Sequence, residues 1–220
     1  NKDLSILDDL DLMAKTYLVT DFYYIEKVLY IYRVHGDNTW LERNQAIQDG
    51  TNKFQYENQQ KLAMHDAKKN NLSFVNLNDV KFDISKPWPL ADNSVGVIEA
   101  HHIINHVEDK EFIMSEMYRV LADKGWAFVE VPSTDGRGAF QDPRMKSYWN
   151  QNSFWYWTKK SHTSLTGTNV KFQDMNSGTR FYDNFHEEHD IPCTFIHLRA
   201  WKSNERRCGA NEWYEEVTTN

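Results

Sequence analysis

The sequence has few cysteines, no long apolar run and no excess of basic residues. Its two cysteines, Cys193 and Cys208, form neither a CxxC pair nor a closely spaced framework, which argues against a disulfide-stapled secreted domain. No apolar run approaches the ~20 residues of a membrane span, and no signal peptide is recognisable. The net charge of −7, without a basic stripe, argues against a general nucleic-acid binder. These absences predict a reduced, cytoplasmic protein with no membrane span and no nucleic-acid partner.

Several familiar catalytic signatures are missing as well. The sequence has no GxSxG, no P-loop and no paired-carboxylate hydrolase motif. His186 and His189, in FHEEHD, do not match the HExxH pattern of zinc proteases. His101, His102 and His106 straddle the end of a predicted strand and the following loop, and no nearby cysteine or further carboxylate completes a ligand set. We therefore predict no metal site.

The most informative stretch runs from Lys81 to Gly138. Within it, Ser94–Ala100 (SVGVIEA) is short, apolar and β-branched, which is typical of a buried parallel strand. Asp109 is a predicted N-cap for a helix with apolar residues at helical spacing, and Gly125 is predicted to end that helix. Trp126–Val131 (WAFVEV) predicts the next strand. Strand, crossover helix and strand form a βαβ unit, so the fold class is predicted as α/β with a parallel sheet.

The motifs of this stretch, in their order, are DISKPWPL, DNSVGVIEA, a histidine-bearing strand end, MSEMYRVL and a turn ending in glycine. In this order they resemble the second half of class I S-adenosylmethionine-dependent methyltransferases, from Ser73 to Lys160. The resemblance implies a Rossmann-like methyltransferase sheet and S-adenosylmethionine as cofactor. The glycine-rich loop that normally opens this fold is missing, because residues 62–74 (LAMHDAKKNNLSF) contain no glycine. We therefore expect a sheet truncated at its first strand.

The same resemblance implies a set of cofactor-binding positions at or after the predicted strand ends: Asn76, Asp83, Trp88, Leu90, Ala100 and His101. In the family, Asp83 would meet the adenine amino group, and Asn76 stands where an acidic residue usually holds the ribose hydroxyls. An amide lacks the charge-assisted hydrogen bond of a carboxylate, so we expect weak cofactor binding. The alternatives are that Asp83 caps the following turn and that Trp88 belongs to the core.

The loop PSTDGRG after the second strand is the predicted substrate-facing segment, because ligands of open α/β sheets bind beyond the strand ends. The catalytic candidates are Asp135, Arg137 and His101. Gly136 and Gly138 would allow close approach of a ligand. The alternative for this loop is a salt-bridged lid.

The remaining predictions concern flanking elements. An aromatic group either floors a sugar-binding surface or fills the core: Trp149, Phe154, Trp155 and Tyr156. Ser153 is a predicted cap for a helix reaching His162. Further short strands are predicted at Ser73–Leu77, Asp79–Ile84, Lys171–Asn176, Arg180–Tyr182 and Phe195–Lys202.

The first 40 residues carry a second resemblance. DDLDLMAK followed by LYIYRVHGDNT resembles the C-terminal end of family-2 glycosyltransferases. In that family an acidic pair resembling Asp8-Asp9 supplies the catalytic base, and the histidine matching His35 lies near the sugar-nucleotide diphosphate. The nucleotide-binding half and its Asp-x-Asp motif are absent, so these residues are interpreted as relics. A helix near Asp8, a strand at Ile25–Arg33 and a polar connecting helix over Leu41–Asn70 are predicted.

Together these patterns divide the chain into a glycosyltransferase-like remnant with its connecting helix (1–70), a methyltransferase-like domain (71–203) and a polar tail (204–220). Because the chain opens on Asn1, we expect a fragment or a processed piece. The leading functional hypothesis is a methyltransferase-like domain that acts on a glycan or small metabolite. The alternative is a catalytically inactive binding or scaffold module of a two-enzyme polypeptide. A third reading keeps Asp8-Asp9 as part of a working glycosyltransferase.

Overall fold

The computed structural model describes residues 8–20 and 44–203, which divide into two compact units. The first unit, Asn1–His65, contains helix α1 (Asp8–Tyr17) and most of helix α2 (Asn44–Lys69). Both predicted N-terminal helices are therefore confirmed. His35 and the strand predicted at Ile25–Arg33 lie outside the described residues.

The second unit, Asp66–Asn220, is built on one five-stranded sheet. Its strands are β1 (Ser73–Asn76), β2 (Val95–His101), β3 (Leu121–Pro132), β4 (Phe172–Arg180) and β5 (Cys193–Ala200). Their order across the sheet is β1-β2-β3-β5-β4. Strands β1, β2 and β3 run parallel, β5 is antiparallel to β3, and β4 is antiparallel to β5. The carboxyl ends of β1 to β4 and the amino end of β5 consequently meet at one edge.

The predicted βαβ unit is present. Helix α3 (Lys110–Val120) connects β2 to β3, and the Asp109 carboxylate caps it by accepting a hydrogen bond from the Phe112 backbone N–H at 2.8 Å. Its apolar stripe is fully buried: Ile113, Met114, Met117 and Val120. Burial of each such side chain contributes about 1.5–3 kcal/mol. Because Val97 pairs with Trp126 in a parallel ladder, the Rossmann-like α/β fold is confirmed.

The predicted end of this helix is wrong. Helix α3 stops at Val120, because Leu121 is already extended and pairs with Val95 of β2. The ladder then shifts register before Trp126, and Lys124 adopts a left-handed backbone conformation in this irregular stretch. Gly125 therefore belongs to the irregular start of β3 and does not end the helix.

Segment Asp79–Ile84 is also not a strand. Its backbone forms turns, and the Asp83 carboxylate accepts hydrogen bonds from the Ser85 N–H at 3.0 Å and hydroxyl at 2.7 Å. Val80 and Phe82 nevertheless pack against the core. The segment forms turns because no strand of the described sheet pairs with it. Its alternating apolar residues hold it against the core.

The last third of the domain differs from prediction in its boundaries. The two strands expected at Lys171–Asn176 and Arg180–Tyr182 are replaced by the single strand β4, which continues through a register shift at Asp174. The last predicted strand is confirmed as β5. The predicted cap is wrong, since Asn150 caps a 3-10 turn and Ser153 completes its capping box. The remaining helical elements are Ile104–His106 and Gln151–Phe154 (3-10), α4 (Gly138–Gln141), α5 (Trp155–Thr158), α6 (Lys160–Thr166) and α7 (Asn184–Glu188).

A polar clamp fixes the loop before β2 to helix α3. The Arg119 guanidinium donates to the carbonyls of Leu90 at 2.8 Å and Trp88 at 3.1 Å. It also donates to Glu116 and Asp92. The buried Glu116 carboxylate in turn accepts from the Trp88 N–H at 2.7 Å, and hydrogen bonding from Arg119 lowers the pKa of Glu116. One guanidinium therefore satisfies several groups that are shielded from water.

Replacing Arg119 by Met should destabilise the domain by about 2–4 kcal/mol, because Glu116 keeps its charge without its cation and two carbonyls lose a donor. Urea denaturation followed by circular dichroism measures the loss. Arg144→Met is the matched control. Its side chain is 80% exposed and pairs with Asp142, so the expected change is below about 1 kcal/mol. Equal losses in the two variants would contradict the clamp.

Candidate functional site

The carboxyl edge of the sheet gathers polar side chains from three places in the chain. His102 follows β2, Glu130 lies near the end of β3, and Arg180 and Tyr182 lie at the end of β4 and just beyond it. We call these four residues the strand-end cluster. The topology brings them together, because all three strands end at this edge. Ligands of open α/β sheets bind at such an edge.

Glu130 is the centre of the strand-end cluster. Its side chain is 8% exposed, and one carboxylate oxygen accepts a hydrogen bond from the Arg180 guanidinium at 3.0 Å. The other oxygen accepts from the Tyr182 hydroxyl, which also lies 2.7 Å from His102 Nε2. A buried carboxylate is stable only when it is paired and hydrogen-bonded in this way.

These contacts fix the tautomer of His102. The single hydroxyl proton of Tyr182 is donated to Glu130, so Nε2 of His102 must donate to the Tyr182 oxygen. The lone pair of the neutral ring is then on Nδ1, which is buried and has no hydrogen-bond partner. Burial lowers the pKa of His102, with a smaller opposing effect from Glu130, so the ring is neutral at pH 7.

The backbone of His102 is strained. Its φ is 51°, in the left-handed region that few residues other than glycine adopt. Its N–H donates to the Glu130 carbonyl at 2.8 Å, which holds the residue in this conformation. Strain of this kind costs about 1–3 kcal/mol and is concentrated at functional sites.

Cys193 lies next to His102 and Glu130 of the strand-end cluster. It opens β5 and is 3% exposed, and it pairs across the ladder with Pro132 of β3. His102, Glu130 and Cys193 each offer a ligand atom, and these three atoms lie within 4.8 Å of one another. Burial, with a contribution from Glu130, raises the pKa of the Cys193 thiol to about 11, so the thiol is neutral in the unliganded protein.

The residues expected to bind the cofactor have other partners. The Asn76 side chain accepts from the Asn78 N–H at 3.0 Å, and the Asp83 carboxylate is bonded to Ser85, which lowers the pKa of Asp83. Trp88 is buried in the core, where its indole N–H donates to the Ile84 carbonyl. These contacts match a turn-capping Asp83 and a core Trp88.

The other three cofactor candidates lie along the same loop and at the end of β2. Leu90 is partly buried against the core, and Ala100 is completely buried. His101 is exposed at the strand end, and its backbone exchanges two hydrogen bonds with the Asn78 side chain.

The catalytic candidates Asp135 and Arg137 are not brought into the strand-end cluster by any described contact, whereas His101 precedes His102 and interacts with it electrostatically. The Asp135 carboxylate accepts from the Ser133 hydroxyl at 2.9 Å and, more weakly, from the Thr179 hydroxyl. Arg137 is exposed, and its backbone N–H donates to the Asp190 carbonyl at 2.7 Å. The PSTDGRG loop is therefore held by its own polar contacts and by the segment before β5.

The two loop glycines serve this internal packing. A Cβ at Gly136 would lie 2.6 Å from the Asp190 carbonyl oxygen and even closer to the Pro192 ring. A Cβ at Gly138 would meet only the Ile191 Cγ2 methyl group, at 2.8 Å. The close approach that the glycines permit is thus between two chain segments.

The aromatic run is divided between core and surface. Trp149 and Phe154 are fully buried and stacked with centroids 5.0 Å apart. Tyr156 is exposed, and Trp155 is partly buried with the Lys159 ammonium 3.8 Å from its ring centroid. The first two therefore belong to the core and cannot floor a sugar site.

Sequence reasoning missed Glu130, Tyr182 and Cys193. Only Glu130 carried a signal, because a carboxylate in the apolar run WAFVEV must be buried or face an edge. Tyr182 and Cys193 lie far along the chain and meet Glu130 through the antiparallel return of β5.

The family model described as "Methyltransferase domain" matches residues 54–129. This segment is methyltransferase-like. It begins inside α2 and ends inside β3, so the methyltransferase-like region comprises the second part of α2, β1, β2, α3 and the first part of β3. The comparison with curated proteins gave no match. The match does not extend to residues 1–53, so the glycosyltransferase resemblance of the N-terminal segment stays a prediction.

Among solved structures, the chain is similar to a phosphoethanolamine N-methyltransferase from Haemonchus contortus bound to S-adenosyl-L-methionine, at 12% identity and TM-score 0.36 over 55% of this chain and 36% of that chain. It is also similar to a SAM-dependent methyltransferase from Archaeoglobus fulgidus, at 15% identity and TM-score 0.40 over 63% of this chain and 81% of that chain. The third is an arsenic(III) S-adenosylmethionine methyltransferase from Chlamydomonas reinhardtii, at 18% identity and TM-score 0.37 over 57% and 44%. The chain thus spans only about a third of the Haemonchus protein (36%).

None of the described helices combines the length and the apolar character that a bilayer crossing needs.

Gly136→Ala should destabilise the domain by about 1–3 kcal/mol, because the added Cβ meets a backbone carbonyl and a proline ring that cannot rotate away. Gly138→Ala is the comparison variant and should cost less, since its added Cβ comes within 3 Å of one methyl group, Ile191 Cγ2, and of no backbone atom. Denaturant unfolding of the two variants measures the difference. A Gly136 variant as stable as the wild type would show that the loop is not packed against Asp190 and Pro192.

Proposed function

We propose that this chain is an S-adenosylmethionine-type methyltransferase domain with weak cofactor binding. The observation that carries the proposal is the match of residues 54–129 to the methyltransferase domain family, on a βαβ unit with the parallel pairing that this fold requires. The polar strand-end cluster lies at the sheet edge where α/β enzymes bind their ligands.

Weak binding follows from the condition of the expected cofactor residues. No glycine lies between Leu62 and Phe74, so the backbone has no loop suited to close approach by the cofactor. Asn76 replaces a carboxylate, and hydrogen bonds to charged groups contribute about 1.5–3 kcal/mol against about 1 for neutral ones. Asp83 already accepts two hydrogen bonds from Ser85. Asp83 and the apolar wall around Leu90 are then the remaining proposed cofactor contacts.

The acceptor proposed for this domain is a glycan or small metabolite, and the protein is proposed to be cytoplasmic. The glycan assignment rests on the resemblance of residues 1–40 to the end of a glycosyltransferase, in which Asp8, Asp9 and His35 are relics. Asp135, Arg137 and His101 remain the proposed substrate-facing groups of the loop and strand end.

The second candidate function is a catalytically inactive binding or scaffold module. The observation that favours it is the use of Asn76, Asp83 and Trp88 in contacts within the protein. Such a module would keep the fold and lose the cofactor altogether.

We expect a dissociation constant for S-adenosylmethionine in the millimolar range, near ~−4 kcal/mol. Isothermal titration calorimetry measures it. Because Asp83 is bonded to Ser85, Asp83→Ala should change the affinity less than about twofold, and so should the control Asp142→Ala, whose carboxylate pairs with Arg144. Micromolar binding that Asp83→Ala abolishes and Asp142→Ala leaves unchanged would contradict the proposal of weak cofactor binding.

The enzyme and the inactive module are separated by a transfer assay. The protein is incubated with millimolar radiolabelled S-adenosylmethionine and a panel of glycans and small hydroxyl or amine compounds. Label transfer that exceeds a heat-denatured control supports the methyltransferase. Absence of transfer across the panel, with the fold intact by circular dichroism, supports the inactive module.

A further inference from the structure

We infer that His102, Glu130 and Cys193 form a binding site for one divalent transition-metal ion of the zinc class. The three side chains come from the end of β2, from β3 and from the start of β5, and their ligand atoms lie within 4.8 Å of one another. The site does not depend on the cofactor, so the metal-site inference and the proposed function are tested independently.

The chemistry of the ligand set selects the kind of ion. An imidazole nitrogen, a thiolate and a carboxylate are the ligands that Zn²⁺ takes, whereas Mg²⁺ and Ca²⁺ prefer oxygen alone. Three protein ligands leave a fourth tetrahedral position open. Bonds of ~2.0–2.3 Å hold tetrahedral ligand atoms roughly 3.3–3.8 Å apart, so the three side chains would close by at most about 1–1.5 Å.

The surrounding hydrogen bonds prepare His102 for this role. A metal-binding histidine usually donates its other ring N–H to a partner that fixes the tautomer. Here Nε2 donates to Tyr182, whose hydroxyl donates to Glu130. Nδ1 is left as the unprotonated nitrogen, and it is the ring atom that is buried without a partner. We assign the metal to Nδ1 because of this missing partner; the separation of 4.8 Å holds for one nitrogen of the ring without specifying which.

The charges of the site are compatible with a divalent ion. On binding, the Cys193 S–H bond breaks, its proton passes to solvent, and the sulfur forms a bond to the metal. The thiolate and the Glu130 carboxylate then offset two of the three positive charges that the ion and Arg180 carry together. Arg180 stays on Glu130, 3.0 Å from one oxygen, and opposes the ion electrostatically. Each carboxylate oxygen has two lone pairs, so it can keep its hydrogen bond and still bind the metal.

The other polar residues near this edge do not complete a competing site in the described part of the chain. His106 lies 3.3 Å from the Arg144 carbonyl through Nδ1, and His186 pairs with Asp183 at 2.6 Å. His101 is exposed at the strand end. The inferred site therefore uses His102 alone of the three closely spaced histidines His101, His102 and His106.

The test titrates the chelator-stripped protein with Co²⁺ and with Zn²⁺. We expect one equivalent of Co²⁺ to give a sulfur-to-cobalt charge-transfer absorption and tetrahedral visible bands, which Zn²⁺ then displaces. Zn²⁺ should raise the melting temperature, whereas Mg²⁺ at the same concentration should not. A folded wild-type protein that shows no cobalt–thiolate band overturns the inference.

Matched cysteine variants locate the metal. Cys193→Ala should abolish the charge-transfer band and weaken Zn²⁺ binding at least tenfold. Cys208→Ala, which changes the other cysteine of the sequence and lies outside the described residues, should leave both unchanged. A band that survives Cys193→Ala, or that is lost in Cys208→Ala instead, overturns the site.

Two further variants keep the test decisive if Cys193→Ala fails to fold. His102→Gln should remove Zn²⁺ binding, and Tyr182→Phe should weaken it about 10- to 100-fold because the hydrogen bond that orients His102 is lost. Phe185→Leu, an exposed aromatic residue of the neighbouring helix α7, is the control and should bind as the wild type does. Unchanged binding in both His102 and Tyr182 variants, with circular dichroism showing a folded chain, contradicts the assignment.

Discussion

The parallel pairing of β2 with β3 is the constraint on which the rest of the domain depends. Two parallel strands cannot be joined by a tight turn, so the chain must cross over through a helix. Helix α3 makes this crossover, and its buried stripe supplies part of the core beneath the sheet. The same pairing places the ends of both strands at one edge. Every polar group of the candidate site is arranged around that edge.

Burial of Glu130 is the second constraint, and it organises the polar part of the domain. A carboxylate with 8% exposure needs hydrogen-bond partners. Arg180, at the end of β4, and Tyr182, just after it, are those partners. The loop after β2 is drawn in by the His102 N–H bond to the Glu130 carbonyl. The cluster therefore connects three chain segments that have no local sequence relation. It also explains why His102 keeps a left-handed backbone.

A fold and a cofactor site depend on different numbers and kinds of contacts. Fold depends on many apolar contacts, which tolerate the loss of a strand at the edge of the sheet. A cofactor site depends on a few polar groups that must be free to meet a ligand. In this domain Asn76 and Asp83 instead stabilise turns, and Trp88 fills the core. These contacts account for the positions of the three residues in the fold.

The division between sequence and tertiary structure follows the range of the interactions. The sequence by itself determined helix α3, its Asp109 cap and the strands on either side, because apolar periodicity and capping act over a few residues. It placed the end of that helix wrongly, since Leu121 leaves the helix to pair with Val95, a contact made across the sheet.

Local pattern also predicted a strand at Asp79–Ile84, where alternating apolar residues anchor turns instead. The strand-end cluster was beyond sequence reasoning, because Glu130, Arg180 and Tyr182 approach one another only after β4 and β5 have folded back. Whether a polar residue is free for a ligand was likewise decided by tertiary structure. The residues next to Asp83 in the sequence would be the same whether its carboxylate bound a ligand or capped a turn. Only the Ser85 hydrogen bonds show that the carboxylate is engaged in a turn.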